Sequence, residues 1–240
     1  MTRVLCAVML TFQVLPPSPA FEVVSVKPNT TGEFATSFFP DPAGVNFVNV
    51  SARQLILRAY QLQDFQLLGG PDWIDVERYD VVAKRPPNTP GTQNPGMLRQ
   101  LLADGFKLKV RRETRGQTTY ALGVARADGR LGPRLQKSNV DCQPVAAARI
   151  QGCATTIRPG DFSSGGTPLP RLATFLSSVL NVIVVDRTGL AGAYDIRLSW
   201  EPDAESIFTA VQEQLGLKLE PRRGPVEVMV IEHIEPPMPN

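Results

Sequence analysis

The chain has 240 residues, 42% of them hydrophobic and 20% charged, with a formal net charge of +2. That balance provides for a packed core and excludes wholesale disorder. It also excludes a strongly basic nucleic-acid binder by bulk electrostatics.

Residues 1–20 stand apart. Thr2-Arg3 gives a short positive start, Val4 to Leu15 is an apolar run, and Pro16 to Ala20 places small residues at Ser18 and Ala20. This is the pattern of a secretory signal peptide cut after Ala20, and it is too short for a bilayer-spanning helix. Export to the periplasm or the medium is therefore expected, with the membrane serving only as the export route. Cys6 lies too early for a lipoprotein cysteine. Once residues 1–20 are removed, Cys142 and Cys153 remain, and an even pair in an oxidising compartment predicts one disulfide. Two cysteines and the single His233 do not make a tetrahedral metal site.

The rest of the chain alternates short strands and helices, separated by clusters drawn from its 22 prolines and 19 glycines. Phe21 to Lys27 and Val45 to Val50 read as strands, with Phe38-Phe39-Pro40 as an apolar spot in the loop between them. Ser51 caps a helix over Ala52 to Leu62, buried through Leu55, Ile56, Ala59 and Tyr60. Phe65 to Leu68 and Tyr79 to Ala83 are strands. A helix follows with Met97, Leu98, Leu101 and Leu102 on one face and Gly105 as its stop. Phe106 to Arg112 and Thr118 to Val124 are expected to pair as a hairpin around Arg115-Gly116. Ala125 to Pro170 is the least regular stretch, with one strand near Ala154 to Arg158.

The organising stretch is Val182 to Trp200, a strand, a glycine turn and a strand. A helix lined by Leu169, Leu172 and Leu176 precedes it, and one lined by Ile207, Phe208, Val211 and Leu215, capped by Asp203, follows. Leu217 to Glu220 and Val226 to Ile231 close the chain as a hairpin around Arg223-Gly224. This second run echoes the first: Gly105-Phe106-Lys107-Leu108 matches Gly216-Leu217-Lys218-Leu219, and Tyr79-Asp80 matches Tyr194-Asp195. The expected fold is α+β, with two tandem β-α-β-β-α-β-β repeats whose helices pack on small sheets. The divisions are 1–20 signal peptide, 21–125 first repeat, 126–166 irregular connection pinned by Cys142–Cys153, 167–234 second repeat and 235–240 tail.

Four ordered motifs carry a resemblance: F-E-V-V-S-V-K-P-N, M-L-R-Q-L-L-A-D-G-F-K-L-K-V-R-R-E-T, V-V-D-R-T-G-L-A-G-A-Y-D and the tail from Ser206 to Pro237. They resemble a large exported family known mainly from soil Acidobacteria. That resemblance implies an exported protein of unknown function, with no catalytic residues to transfer. The helix-strand-turn-strand-helix order is also similar to the small N-terminal modules of secretins and TonB-dependent receptors, which are periplasmic protein-contact domains.

No constellation reads as a reaction centre. His233 sits at the tail as a surface histidine, and Glu205 and Glu213 lie on a solvated helix face. T-G-L-A-G lacks the lysine of a P-loop and the third glycine of a dinucleotide loop, so no cofactor is expected. Trp200 continues a buried alternation. The candidate contact residues are Trp73, Arg111, Arg112, Arg222 and Arg223. The expectation is a non-enzymatic protein-interaction or envelope-associated module whose partner is reached by strand addition. The alternatives are a hydrolase of envelope or extracellular polymer and a sensor binding a small ligand between the halves.

Overall fold

A computed structural model describes residues 20–32, 36–140, 142, 152–201 and 204–238. The proposed signal peptide, Cys6 and the Asp203 cap lie outside the described residues, apart from Ala20. The chain folds into two compact units. One comprises Met1–Gln61, Gly70–Lys109 and His233–Asn240, and the other Leu62–Gly69 and Val110–Glu232. Among the described residues no helix is long and apolar enough to cross a membrane.

The first unit is a four-stranded sheet with helices on its apolar face. Its strands are β1 (Val23–Pro28), β2 (Ser37–Asp41) and β3 (Gly44–Ser51), followed by helix α1 (Ala52–Tyr60). The chain then gives β4 (Leu67–Leu68), which belongs to the second unit, and returns through the short helix α2 (Trp73–Val76) to β5 (Arg78–Lys84) and α3 (Asn94–Gly105). The sheet order is β1-β5-β3-β2, all antiparallel. Alternation sends Val45, Phe47, Val81 and Ala83 inward, where they meet Leu55, Ile56, Leu98 and Leu102, all 3% exposed or less. The Phe38–Pro40 spot, expected in a loop, is part of β2, because it lies in register against Val45, Asn46 and Phe47.

The second unit opens with β6 (Lys109–Val124) and β7 (Leu135–Lys137). Then come β8 (Thr155–Arg158), β9 (Asp161–Thr167), α4 (Leu169–Leu180), β10 (Val184–Asp186), β11 (Tyr194–Ser199), α5 (Ala204–Leu215) and β12 (Leu217–His233). Two sheets form, ordered β10-β6-β12-β4 and β7-β11-β9-β8. Leu172, Leu176, Leu198, Val211 and Leu215 are fully buried in the core they share.

Three expectations are corrected. The hairpins around Arg115-Gly116 and Arg223-Gly224 are not formed; β6 and β12 run straight through both sites as single long strands. Neither Gly116 nor Gly224 takes a positive φ, and each long strand has the other as its sheet neighbour. Residues 126–166, expected to be irregular apart from one strand near Ala154 to Arg158, supply that strand as β8 and also β7 and most of β9. Ser163 to Gly166 reads as a loop by composition, but pairing with β8 and β11 satisfies its backbone. With each terminal hairpin merged into one strand, the run from β3 to β6 and the run from β9 to β12 each read β-α-β-β-α-β, with α2 as an extra short helix in the first. The disulfide Cys142–Cys153 is formed, with Cα atoms 5.5 Å apart. Closing a loop of that size contributes about 3 kcal/mol in the chain-entropy model.

The strand-to-helix junctions are alike in detail. β3 carries one extra residue against β5 between Phe47 and Val50, and β9 carries one extra against β11 between Ser164 and Thr167. In each bulge one residue turns left-handed, Asn49 at φ 58° and Gly166 at φ 55°. Its N–H points out of the ladder and is caught by a carboxylate from the neighbouring strand. Asn49 N donates to Asp80 Oδ1 at 2.9 Å, and Gly166 N donates to Asp195 Oδ1 at 2.9 Å. The preceding residues, Tyr79 and Tyr194, are buried and pair with Val50 and Thr167. Two residues past each bulge stands the helix N-cap, Ser51 or Pro168.

Asp195→Ala strips the acceptor from a part-buried N–H, a loss of about 1–3 kcal/mol. Its melting temperature should fall by several degrees, while Asp195→Asn, which keeps one carbonyl acceptor, should lose less. Equal melting temperatures for Asp195→Ala and the parent would remove the carboxylate from this role.

Candidate peptide groove of the first unit

Strand β1 is an edge strand, paired on one side with β5 and on the other with no strand among the described residues. Val24 and Val26 stand on its inner side, Val26 buried and Val24 half-buried. Both line a concavity of about 350 Å³. Leu101 and Gly105, on the last turns of α3, form the opposite wall. Pro236 and Pro237 form a third side, held in place because Glu235 N donates to Phe106 O at 2.8 Å. Phe21, 9% exposed, lines the concavity together with Ala20.

The lining is mostly apolar, with a charged rim. Asp104 Oδ2 accepts from Gln100 Nε2 at 2.9 Å, and Glu235 Oε1 lies 2.9 Å from His233 Nε2. Lys107, the third charged residue, makes no hydrogen bond or ion pair among the described residues. Its backbone is left-handed at φ 52°, a conformation that costs an ordinary L-residue of order 1 kcal/mol. That conformation ends α3. Gly105, expected to be the stop, lacks a positive φ, and a Cβ built there would meet nothing within 4 Å.

An added strand beside β1 would meet two features: the outer N–H and C=O groups of an edge strand, and an apolar lining that includes Val24, Val26 and Leu101.

The contact residues expected from sequence lie elsewhere. Trp73 is half-buried on α2, in the first unit. Arg111 and Arg112 are on β6 and Arg222 and Arg223 on β12, which are neighbours in one sheet of the second unit. Thr119 reaches Arg222 while Arg112 reaches Glu227 and Arg111 reaches Glu232, so the two strands run antiparallel. The arginines are matched by carboxylates. Arg111 also meets Glu113 at 2.8 Å, and Arg222 meets Glu220 at 2.9 Å. Hydrogen bonds from Arg115 and then Arg111 hold the Glu113 carboxyl below its usual range, and Lys218, then Arg222, does the same for Glu220. The ribbon is thus a surface of alternating charge instead of a bare anion patch. Trp200 is half-buried, edge-on to Phe175 at 5.9 Å, as the alternation of its strand implies.

The groove escaped the sequence because its walls come from β1, α3 and the tail. The signals were a valine pair, Gly105 and a Pro-Pro near the end.

A family model described as a protein of unknown function (DUF3738) matches residues 53–234. The chain belongs to this family. No curated protein and no solved structure matches it. Within DUF3738 the matched stretch contains both bulge junctions' aspartates and all of α3. β1 and the tail residues Glu235–Met238 lie outside it.

Arg115→Ala removes the larger of the two bonds on Glu113. The Glu113 carboxyl should then titrate closer to its usual 4.5, as read by carboxyl carbon NMR. The sign follows from the lowered value: whatever stability the pair adds is present above the usual carboxylate range and fades as pH falls through the folded value. An unmoved Glu113 titration would dismiss Arg115 as the cause.

Proposed function

We propose that this DUF3738 protein is an exported, non-enzymatic interaction module that captures an extended segment of a partner protein by strand addition to β1. The observation that carries the reading is an apolar concavity lined by Phe21, Val24 and Val26 at an edge strand whose outer side has no strand partner among the described residues. Burying apolar side chains there contributes roughly 25 cal/mol per Å² removed from water, and the β1 ladder adds backbone hydrogen bonds that accept many sequences.

Export is supported by the positive start, the apolar run to Leu15 and the small residues before Phe21. It is also supported by the disulfide, which an oxidising compartment sustains. The resemblance to the exported family of soil Acidobacteria points the same way, as does the order shared with periplasmic contact modules of secretins and TonB-dependent receptors. The paired bulge junctions, each with a Tyr-Asp partner, support the doubling of one β-α-β-β-α-β module. The contact surface expected at Trp73 and the four arginines becomes secondary to the groove, since most of those arginines are engaged by neighbouring carboxylates.

Gly105→Leu tests the site. It fills the groove from a helical position with free space around it, and replacing a helical glycine stabilises by up to about 1 kcal/mol. Short fluorescein-labelled peptides alternating valine with threonine should bind the parent protein by anisotropy and protect β1 amides from hydrogen exchange. In Gly105→Leu the binding should drop at least tenfold with no loss of melting temperature. Undiminished binding in that variant, or protection appearing on another strand, would refute the groove.

A further inference from the structure

Resting on that reading, we propose that the groove reads the free C-terminal carboxylate of the partner segment through Lys107. The chain end of the captured strand, not an acidic side chain along it, is the recognised anion.

Three observations converge on Lys107. It carries the one cationic side chain among the residues lining the groove, where cleavage after Ala20 would also place the α-amino group of Phe21, and it has no partner among the described residues. It sits at the left-handed position closing α3, where glycine or asparagine is the cheaper residue. Gln61 takes the same left-handed conformation at the end of α1, so it is the groove beside Lys107 that sets this position apart. The Lys107 side chain is exposed.

The rest of the rim decides the source of the anion. Asp104 and Glu235 line the same groove, Asp104 accepting from Gln100 and Glu235 lying beside His233. An acidic side chain anywhere but beside Lys107 meets one of these carboxylates and is repelled. A terminal carboxylate brings one negative charge at one fixed place, with two oxygens for the three donors of the ammonium. A charge-assisted hydrogen bond of this kind is about twice as strong as a neutral one. The groove also meets β1 at only two inward positions, Val24 and Val26, which suits the last few residues of a chain.

The test uses three labelled peptides of the same valine-threonine alternation: one with a free C-terminus, one amidated, and one amidated with glutamate in place of its last threonine. Binding to the purified protein is measured by anisotropy at low and physiological salt. The free acid should bind about tenfold tighter than the amide, a gap of 1.4 kcal/mol, and the gap should narrow as salt rises. Lys107→Gln should bring the free acid to the level of the amide. Lys107→Gly should do the same while raising the melting temperature, because it relieves the left-handed strain; a purely structural lysine would leave the acid preference intact. If acid and amide bind alike, carboxylate recognition is wrong although strand addition stands. If the glutamate peptide matches the free acid, the source is a side chain and the proposal falls. If no peptide binds, the groove reading itself fails.

Discussion

A backbone N–H turned out of its ladder has to find an acceptor, and in this protein a carboxylate supplies it twice. Asn49 and Gly166 each take a left-handed turn, where one extra residue bends the strand toward a helix. Asp80 and Asp195 reach across from the neighbouring strand to hold the freed N–H. Without that bond the bulge leaves a part-buried donor unpaired, and the following helix loses its fixed starting point. In the first unit this junction sets α1, against which α3 packs, and α3 in turn forms a wall of the groove. Asp80 is tied further by Asn29 Nδ2 at 2.8 Å, which fixes the chain just after β1. One carboxylate therefore links the strand-to-helix turn to the edge strand on which the proposed binding depends.

Local signals in the sequence were read where local chemistry decides the outcome. Ser51 caps α1 and its hydroxyl accepts from Gln54 N, while the Gln54 side chain answers back to Ser51 N, a reciprocal pair visible in the spacing. The alternation of Tyr194, Ile196 and Leu198 places each of them in the core. The reading failed where a distant partner decides. Arg-Gly pairs look like hairpin turns, but a turn needs its flanks to pair with each other. Here β6 pairs with β12 and β10, and β12 pairs with β6 and β4, so both glycines stay extended. Ser163 to Gly166 carries loop composition and still forms a strand, because Ser164 is closed in by Thr155 and Thr167 through hydroxyl contacts of 2.7 and 2.5 Å.

The functional surface was less legible for the same reason. A groove is a relation between elements, and its sequence traces are weak individually. Gly105 looks like a helix stop; the stop is Lys107, so the small residue is left facing open space. The arginines cluster in sequence; Glu113 and Glu220 stand two residues from Arg111 and Arg222, but Glu232 and Glu227, which meet Arg111 and Arg112, lie more than a hundred positions away. Charge density along a chain says little until the opposite charges are placed beside it.

Edge strands give the last physical argument, since an open edge is a hazard that proteins normally suppress. Among the edge strands of the described residues, β4 has two residues, β7 and β10 three each, and β8 four. β2 has five but contains Pro40, which cannot donate to a ladder. β1, at six residues, is the longest, and its proline comes only at the far end. Length and hydrogen-bonding capacity are thus kept at one edge, beside the groove of α3 and the tail. On the proposed reading, an arbitrary strand would gain only the ladder there, whereas a strand with apolar side chains at alternate positions would also fill the groove. Selectivity against promiscuous pairing would then come from the walls of the groove, and the edge itself could remain long.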